Sequence, residues 1–437
     1  MNFHEAMEYI TNLTKFGFNF GLGRIQELLR RLGNPHRSLR VIHIGGTNGK
    51  GSTAVMVAGI LREAGYRAGS FTSPHLHAYT ERYRVDGAEI SGEKVAEIIT
   101  ELRPHLEAMV AEGFEHPTEF EVGTALAFLY FYRKKVDYLV LEVGLGGAID
   151  STNVIVPLVA VITNVAMDHM DYLGNTVREI AAVKAGIIKP GVPLVTAADN
   201  PGALDVIAAT CREQGAPLIL VGRDVTIEPG QSTPDAHCFS IQGRLSGYPD
   251  LRLPLAGLHQ LMNAATAVAA VEVLVEAGAA IPLEAVKRGL AATCWPARLE
   301  TVRESPRVII DGAHNYDGAK CLSRSIRDHY SGRRLVLVLG MLGDKERSKV
   351  VAELAPLAQA VVVTRPNSPR AGDWQAMAEE ARRYAPSVVV IEDIGAAVEQ
   401  ALGLAGPQDL VVITGSLYMV AEAREMLVGR ENTGFIT

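Results

Sequence analysis

A glycine-rich loop, 46–52, follows an apolar run, 41–44, and precedes a run of helix-forming residues, 53–64. A strand that passes through such a loop into a helix is the repeating unit of parallel α/β sheets, because parallel strands need a crossover connection. The glycines let backbone N–H groups approach phosphate oxygens, and the N-terminus of the helix adds a partial positive charge. The loop therefore predicts an α/β fold with a nucleoside triphosphate site at the end of a strand.

The loop differs from the usual phosphate-binding loop, in which Gly-Lys is followed at once by Ser or Thr. Here Gly51 separates Lys50 from Ser52. Lys50 can still reach the terminal phosphates, and the hydroxyl of Ser52 or Thr53 can bind Mg²⁺. The alternative is an ordinary strand-to-helix turn, which would not require a lysine. The residues predicted to hold the nucleotide are Gly46, Thr47, Asn48, Gly49, Lys50, Gly51, Ser52 and Thr53.

Composition excludes several classes of protein. The 437 residues are 48% hydrophobic and carry a formal net charge of −7, so no basic surface indicates nucleic acid or an anionic membrane as a partner. No basic region followed by an apolar stretch and no apolar run long enough to span a bilayer is present, so we expect a cytoplasmic protein. The four cysteines lack metal-type spacing and are expected to be free thiols.

The order of apolar and helical runs predicts two α/β domains. Strand-like runs alternate with helical stretches through the first half, which is typical of a doubly wound, mostly parallel sheet. Between 218 and 255 the runs become short and contain Gly and Pro, which indicates a small antiparallel insertion. After Trp295-Pro296 a regular βα series predicts a Rossmann-like C-terminal domain. We place the domains at 1–295 and 296–437.

Polar residues follow the predicted strands in both halves, where open α/β sheets bind their ligands. Glu142 ends an apolar strand, so it needs a cation nearby or forms a structural salt bridge. His169 is either a ligand of metal or phosphate or a loop histidine. Lys184 either has a catalytic or modified role or extends its amine to the surface. The turn that starts at Asp311 is either functional or a helix cap. Two facing sets of strand-end loops predict a cleft between the domains.

Eight short motifs are distributed along the chain: GTNGKGST at 46–53, TSPHL at 72–76, LEVGLGG at 141–147, DSTN at 150–153, DHMDYLG at 168–174, VKAGIIKP at 183–190, DGAHN at 311–315 and TGSLY at 414–418. Together and in this order they resemble the motifs of folylpolyglutamate synthases and dihydrofolate synthases, within the Mur ligase superfamily. The resemblance spans nearly the whole chain and favours the folate branch over the cell-wall branch.

The resemblance implies an ATP-dependent amide ligase of folate metabolism. ATP phosphorylates a carboxylate, the α-amine of L-glutamate attacks the acyl phosphate, and the tetrahedral intermediate collapses to amide, with ADP and phosphate as products. The implied cofactors are ATP and Mg²⁺ at two sites, and the family expectation is a monomer. The implied substrates are L-glutamate and dihydropteroate, reduced folates or both, and the sequence leaves that choice open.

Residue by residue, the resemblance assigns roles on both sides of the cleft. The nucleotide contacts besides the loop 46–53 are Asn263, Arg298 and Asp311. The metal ligands are Ser52, Ser73, Glu142 and His169. Lys184 matches a lysine that is carbamylated in this family and then helps to hold a second metal. The residues assigned to catalysis are Lys50, Lys184 and His314. The substrate contacts are Gly21 and Arg24 in an early loop, Phe18 to Arg24, and further along Arg82, Phe120, Asp150, His314 and Ser416.

One departure from the family pattern concerns substrate choice. The family often reads Gly-Gly-Arg-Leu-Asp-Ala-Thr-Asn, whereas this chain has Ala148 at the arginine position. A ligase of the same superfamily with a different acyl acceptor is therefore the second hypothesis. The third, a nucleotide-binding protein without turnover, does not account for the presence of Lys184, His314 and Ser416 together.

Overall fold

The computed structural model describes residues 1–17 and 19–429, which form two α/β bodies and a small sheet that lies between them in sequence. The strands are β1 (Val41–Gly45), β2 (Ala68–Phe71), β3 (Tyr83–Val85), β4 (Ala88–Glu89), β5 (Tyr138–Glu142), β6 (Val159–Ile162), β7 (Leu194–Thr196), β8 (Leu218–Leu220), β9 (Thr226–Ser232), β10 (His237–Gln242), β11 (Gly247–Leu253), β12 (Glu300–Glu304), β13 (Arg307–Ile310), β14 (Leu335–Leu339), β15 (Ala360–Val363), β16 (Ser387–Val390) and β17 (Leu410–Thr414). The α-helices are α1 (Phe3–Asn12), α2 (Gly23–Arg31), α3 (Lys50–Glu63), α4 (Gly92–Ala111), α5 (Glu119–Lys134), α6 (Met170–Leu173), α7 (Val177–Ala185), α8 (Pro201–Glu213), α9 (His259–Glu276), α10 (Leu283–Ala291), α11 (Tyr316–Tyr330), α12 (Arg347–Leu354), α13 (Ala376–Ala381), α14 (Ile394–Leu404) and α15 (Leu417–Val428). Short 3₁₀ helices are formed by Leu13–Phe16, Pro35–Ser38, Tyr79–Arg82, Ser151–Val154, Ala355–Leu357 and Pro369–Ala371.

Strand β1 lies inside the eight-stranded sheet, whose order is β4-β3-β2-β5-β1-β6-β7-β8. It pairs in parallel with β5 and β6, and Ile42 is opposite Val140 and Val159. All five residues of β1 are buried, as a continuous apolar run in a parallel sheet covered on both faces predicts. The loop that follows β1 therefore emerges at the carboxyl edge of a rigid sheet.

Helices α9 and α10 pack against α3, the helix that follows the glycine-rich loop. Every residue of α9 from Ala264 to Leu274 is buried, and its alanines let neighbouring backbones come close. Helices α3 and α10 cross in backbone contact, because a Cβ on Gly289 would lie 2.5 Å from the Cα of Ile60. The C-terminal part of α3 and the end of α10 therefore pack as one rigid unit.

The C-terminal sheet has the order β12-β13-β17-β14-β15-β16. Strands β13 to β17 pair in parallel, while β12 pairs antiparallel with β13 and forms one edge. The sequence did not indicate β12, because its residues, ETVRE, are mostly polar and lie at the edge of the sheet. Strands β14 and β17 are buried along their whole length.

The predicted fold class is confirmed: two α/β bodies, the first with a mostly parallel sheet, and an antiparallel insertion, β9 to β11. The antiparallel edge strands β3 and β4 were not predicted. The chain passes to the last sheet between Ala291 and Glu300, the region in which the sequence places the domain boundary. The domain limits themselves stay a prediction. Among the described residues, no helix is both long and apolar enough to cross a membrane.

Candidate functional site

The carboxyl ends of β1, β5 and β6 face those of β13 and β17 across a cleft of about 430 Å³. The cleft therefore lies at the strand ends of both bodies, where open α/β sheets bind their ligands. Most of the predicted site residues line this cleft: Gly46, Thr47, Asn48, Gly49, Lys50, Gly51, Ser52, Ser73, Glu142, His169, Lys184, Asn263, Arg298, Asp311 and His314.

Two glycines shape the loop between β1 and α3. Gly46 has φ +137°, and a Cβ there would lie 1.9 Å from the Oγ1 of Thr163. Gly49 has φ +83°, and its Cβ would lie 2.3 Å from the Oδ1 of Asn263. Both positions therefore require glycine for conformation and for space. The loop curls so that the Nζ of Lys50 donates to two of its own carbonyls, those of Gly46 at 3.2 Å and Thr47 at 2.9 Å.

Glu142 is the last residue of β5 and only 4% of it is exposed. Its carboxylate accepts one hydrogen bond, from the backbone N–H of Ser73 at 3.0 Å. Burial raises the pKa of Glu142 to about 7, although Lys50 and that backbone N–H act in the opposite direction. The carboxylate is therefore under-compensated, and a cation placed in the cleft would lower its free energy.

Lys184 lies near the end of α7 and is buried, so the alternative in which it extends to the surface is wrong. Its Nζ donates to the backbone carbonyl of Gly46 at 2.8 Å. Burial, together with repulsion from Lys50, lowers the pKa of Lys184 to about 7. A large fraction of this amine is therefore uncharged near neutral pH, when an ordinary lysine would be an ammonium ion.

The C-terminal wall of the cleft is held by backbone hydrogen bonds. The carboxylate of Asp311 accepts from the N–H groups of Leu299 and Ala313, each at 2.9 Å, while burial raises its pKa. Burial also lowers the pKa of His314 to about 4, so its ring is neutral at pH 7. Its Nδ1 lies 2.8 Å from the carbonyl oxygen of Gly312. Nδ1 must then carry the proton, which leaves a lone pair on Nε2.

A polar network that the sequence did not single out joins the two walls. Nζ of Lys345 donates to Oδ1 of Asp168 at 2.7 Å, and both side chains are more than 90% buried. Nδ2 of Asn315 donates to Oδ2 of Asp168 at 2.9 Å and to Oδ1 of Asn48 at 3.0 Å. Burial raises the pKa of Asp168, but the Lys345 ammonium outweighs this and holds it well below its usual range. Both Asp168 and Lys345 follow strands, β6 and β14, and that position was the signal available in the sequence.

His169 lies at the start of α6 with φ +50°. Its Nε2 is 3.4 Å from Nζ of Lys345, and burial lowers its pKa to about 4. The lone pair of a neutral His169 therefore faces an ammonium group in this conformation.

Several predicted substrate contacts lie outside the lining of the cleft. Asp150 is 4% exposed, and its carboxylate accepts from the N–H of Leu145 at 2.7 Å and from the N–H of Thr152 at 3.0 Å. It therefore shapes the loop after β5. Ser416 is also buried, beneath the start of α15. Thr53, which was predicted as a nucleotide contact, also lies outside the lining; it continues α3 and is fully buried.

The remaining predicted substrate contacts form a second group near the N-terminus of α5. Nε of Arg24 donates to Glu121 at 3.1 Å, which anchors the loop that contains Gly21. Arg82 is buried and donates to His75 at 3.0 Å and to Glu119 at 2.9 Å. The ring of Phe120 covers Gly144, where a Cβ would lie 2.3 Å from the Phe120 Cζ. Phe18, which begins the predicted loop, is outside the described residues.

Mg²⁺ requires oxygen ligands, often one or two carboxylates together with phosphate oxygens. Glu142 fits, because it is buried with a raised pKa and only one backbone donor. Ser52 and Ser73 line the same cleft and add hydroxyl oxygens. His169 fits less well, because its Nε2 faces Lys345. Within the described residues, no group of three or more His, Cys, Asp or Glu side chains is arranged to hold a metal.

Two family models and the similar proteins of known name all belong to one group, the Mur ligases. Residues 44–271 match the Mur ligase middle domain, and residues 297–417 match the Mur ligase glutamate ligase domain. The chain is 39% identical to a dihydrofolate synthase/folylpolyglutamate synthase of Bacillus subtilis, over 97% of this chain and 99% of that protein.

Solved structures of similar chains extend this comparison. A Mycobacterium tuberculosis folylpolyglutamate synthase complexed with ADP superposes with a TM-score of 0.90 at 36% identity, covering 98% of this chain and 99% of that chain. Escherichia coli FolC in complex with DHPP and ADP superposes with a TM-score of 0.88 at 31% identity, covering 99% of each chain.

Proposed function

Since this chain belongs to the Mur ligase family, and within it to the folylpolyglutamate and dihydrofolate synthases, it is an ATP-dependent ligase that adds glutamate to folates, and we propose how its cleft performs this reaction. The observation that carries the proposal is the meeting of two strand-end loops. Asn48 of the phosphate-binding loop and Asn315 of the C-terminal turn are hydrogen bonded at 3.0 Å. Groups bound on the two walls are therefore close enough to react.

In the first step, an oxygen of the folate carboxylate attacks the γ-phosphorus of ATP, the bond to the bridging oxygen breaks, and ADP leaves. Lys50, held over the loop by two carbonyls, stabilises charge on the terminal phosphates. Arg298, which is oriented by its own hydrogen bond to the carbonyl of Ala297 at 2.9 Å, contributes a second positive charge from the domain junction. Bound Mg²⁺, held by Glu142 with Ser52 and Ser73, would supply further neutralisation of the phosphates.

In the second step, the amine nitrogen of glutamate forms a bond to the acyl carbon, and the carbon–oxygen bond to phosphate breaks. The amine must first lose a proton, and the Nε2 lone pair of neutral His314 is an acceptor that can orient it. The walls meet across the cleft through Asp168 and Lys345, which limits the access of water to the acyl phosphate.

We also propose that Lys184 is carbamylated. Its uncharged amine would form a bond to the carbon of CO₂ and release one proton, and the resulting anion could hold a second Mg²⁺. The support is the burial of Lys184 and its pKa of about 7. The test is NMR of the protein in isotopically labelled bicarbonate. We expect a carbamate resonance that is absent from Lys184→Met and present in Lys189→Met. Equal resonances in the protein and in Lys184→Met would contradict the proposal.

The choice of acyl acceptor is tested with purified protein, MgATP and L-glutamate. Dihydropteroate is supplied in one reaction and tetrahydrofolate in another, with ADP release and product masses measured. We propose that both are glutamylated. Product from one acceptor alone would restrict the activity to that acceptor. ATP binding without glutamate-dependent ADP release in either reaction would contradict the folate assignment.

A ligase with another acyl acceptor is the second candidate, and Ala148 is the observation that favours it. Ala148 is exposed. It packs against Gly186, where an added Cβ would lie 2.3 Å from the Cβ of Ala148. The loop therefore offers no cation at this position to an anionic substrate. Ala148→Arg should leave the kcat unchanged and lower the KM for a folate substrate if that cation matters. The monomeric state and the cytoplasmic location stay predictions.

A further inference from the structure

Trp295, in the linker between the two bodies, touches the phosphate-binding loop. A Cβ built on Gly51 would lie 2.9 Å from Cζ2 and 3.1 Å from Nε1 of the Trp295 indole. Distances this short mean that the indole edge lies directly on the Cα of Gly51. The extra glycine between Lys50 and Ser52, which the usual loop lacks, is therefore the surface on which the linker tryptophan rests.

The linker is fixed at both ends, to different bodies. At its start, the hydroxyl of Thr293 donates to the carbonyl of Gly289 in α10 at 2.9 Å, and α10 is in backbone contact with α3. At its end, the carbonyl of Ala297 accepts from Gly312 at 2.9 Å, and the N–H of Leu299 donates to Asp311. Trp295 thus lies where a movement of one body relative to the other must be absorbed.

In the segment that follows Trp295, two residues have strained backbones. Ala297 has φ +57° and Leu299 has φ +48°, both in the left-handed region that residues with a Cβ rarely adopt. Such conformations persist when surrounding contacts hold them in place. Here the backbone of Ala297 is hydrogen bonded to Glu300 and Gly312, and that of Leu299 to Asp311. The C-terminal side of the linker therefore moves with the C-terminal body as a rigid piece.

The indole also has space on its other side. A second cavity, of about 990 Å³, is lined by Trp295, by Arg298 and by residues of α3 such as Arg62. The Nε1 of Trp295 is buried without a hydrogen-bond partner among the described residues, so no polar contact holds the ring in its present place. The ring can therefore shift from Gly51 towards the cavity without breaking a hydrogen bond.

We propose that Trp295 is a positioning residue that couples nucleotide on the phosphate-binding loop to the orientation of the C-terminal body, with Gly51 as its contact. Nucleotide that reshapes the loop moves the indole, and the rigid segment Ala297 to Leu299 carries that movement to Asp311 and His314. The reverse also holds: closure of the bodies presses the indole on Gly51 and tightens the loop, because coupling between two sites is reciprocal. The proposal rests on the proposed function in one respect, that ATP binds at the loop 46–53.

The chain has two tryptophans, so each can be observed alone. Trp374 is buried in the C-terminal core and does not line the cleft. In Trp374→Phe, Trp295 is the remaining tryptophan, and its fluorescence emission should shift when ATP and MgCl₂ are added. The ATP concentration at half of this shift should match the Kd from calorimetry. Trp295→Phe leaves Trp374, and its emission should not change. ATP binding to Trp374→Phe by calorimetry without any emission change would overturn the proposal.

A mutant cycle tests the contact itself. Gly51→Ala should weaken ATP binding about tenfold, because the methyl group displaces the indole. Gly51→Ala with Trp295→Phe should recover most of that loss, because phenyl lacks the far edge of the indole. The matched control is Gly403→Ala in α14, where a Cβ meets nothing within 4 Å, and it should leave ATP binding unchanged.

Four results separate the possibilities. Recovery in the double variant supports the coupling. An equal loss from Gly51→Ala in both backgrounds would overturn it, because the methyl group would then act on the nucleotide directly. If Gly51→Ala fails to fold, the emission of the two single-tryptophan variants still decides the question. Absence of ATP binding to the unaltered protein would remove the proposed function as well, and calorimetry distinguishes that outcome from failure of the coupling alone.

Discussion

Two groups of polar side chains at the cleft differ in what their polar atoms bond to. The loop cluster, Lys50, Glu142 and Lys184, bonds in the described structure only to backbone groups. The bridge cluster, Asp168, Asn315 and Lys345, is satisfied by its own side chains across the two walls. The loop cluster therefore keeps charges that a bound ligand can pair, whereas the bridge cluster uses its charges to hold the walls together.

The pKa directions express the same difference. Burial raises the pKa of Glu142 and lowers that of Lys184, both to about 7, which means that each charged form is disfavoured. In the bridge cluster, Lys345 lowers the pKa of Asp168, which means that its charged form is favoured. Groups whose charge is disfavoured in the free protein are typical of functional sites, and they can be separated from structural ion pairs by experiment.

The largest effect is expected for Lys50→Met. This variant removes the cation that is proposed to contact the terminal phosphates, so glutamate-dependent ADP release should fall about 10²- to 10³-fold. Stability should change little, because the Lys50 ammonium bonds only to carbonyls of its own loop. Steady-state kinetics and thermal unfolding measure the two quantities. Lys94→Met, on α4 and outside the cleft lining, is the control. Retention of more than a tenth of the activity by Lys50→Met would contradict the assignment.

Lys345→Met should have the next largest effect, on stability. It leaves the Asp168 carboxylate buried without its cation, which should destabilise the protein by about 3 kcal/mol at pH 7. Because the folded pKa of Asp168 is depressed, its contribution is present above the unfolded pKa and is lost as the pH falls. Variant and unaltered protein should therefore converge in acid. Urea unfolding at several pH values measures this difference.

The control for that experiment is the double variant Lys345→Met with Asp168→Asn. Removing both charges should recover much of the lost stability, because no unpaired buried charge remains. If the double variant is as unstable as Lys345→Met alone, the cost comes from packing, and the bridge cluster is not an electrostatic contact between the walls.

Glu142→Gln should change stability in the opposite direction. The folded pKa of about 7 lies above the ordinary value of 4.5, so the carboxylate costs stability progressively as the pH rises through this range. The variant should therefore be more stable by about 1–3 kcal/mol at pH 8, and the gain should vanish below pH ~4.5. Activity should fall, because the variant loses its ligand for a cation. If Glu142→Gln and the unaltered protein were equally stable at pH 8, the charge of Glu142 would be compensated within the protein, as the charges of the bridge cluster are.

The control for this comparison is an exposed carboxylate. Glu379 lies on α13 with 77% of its side chain exposed. Glu379→Gln should leave both stability at pH 8 and activity unchanged, because water already solvates its charge.

The smallest effect is expected for Asp235→Asn, in the turn between β9 and β10. Asp235 pairs with Arg307 of the C-terminal body, and 55% of the Asp235 side chain is exposed. An ion pair of this exposure should contribute less than about 1 kcal/mol, and less in high salt. Thermal unfolding at two salt concentrations checks this. A larger effect would mean that the bodies are held together far from the cleft as well as at the bridge cluster.

The sequence determined the interior parallel strands of both sheets and most of the cleft lining. Parallel strands read as continuous apolar runs because both of their faces are covered, so the interior of each sheet was visible in the chain. The polar residues that end those runs meet at one edge of each sheet, and for this reason the sequence alone predicts that Glu142, Asp311 and His314 share one cleft.

Only the tertiary structure decided which side chains face each other across that edge. Nothing in the sequence pairs Asp168 with Lys345, which are separated by 177 positions, or directs Asp150 inward to the amides of its own loop. The same holds for Gly51, whose lack of a side chain is explained by a tryptophan that follows it by more than two hundred residues. Local patterns record burial and element type, because these depend on near neighbours, whereas pairing across two bodies depends on packing of elements that are distant in the chain.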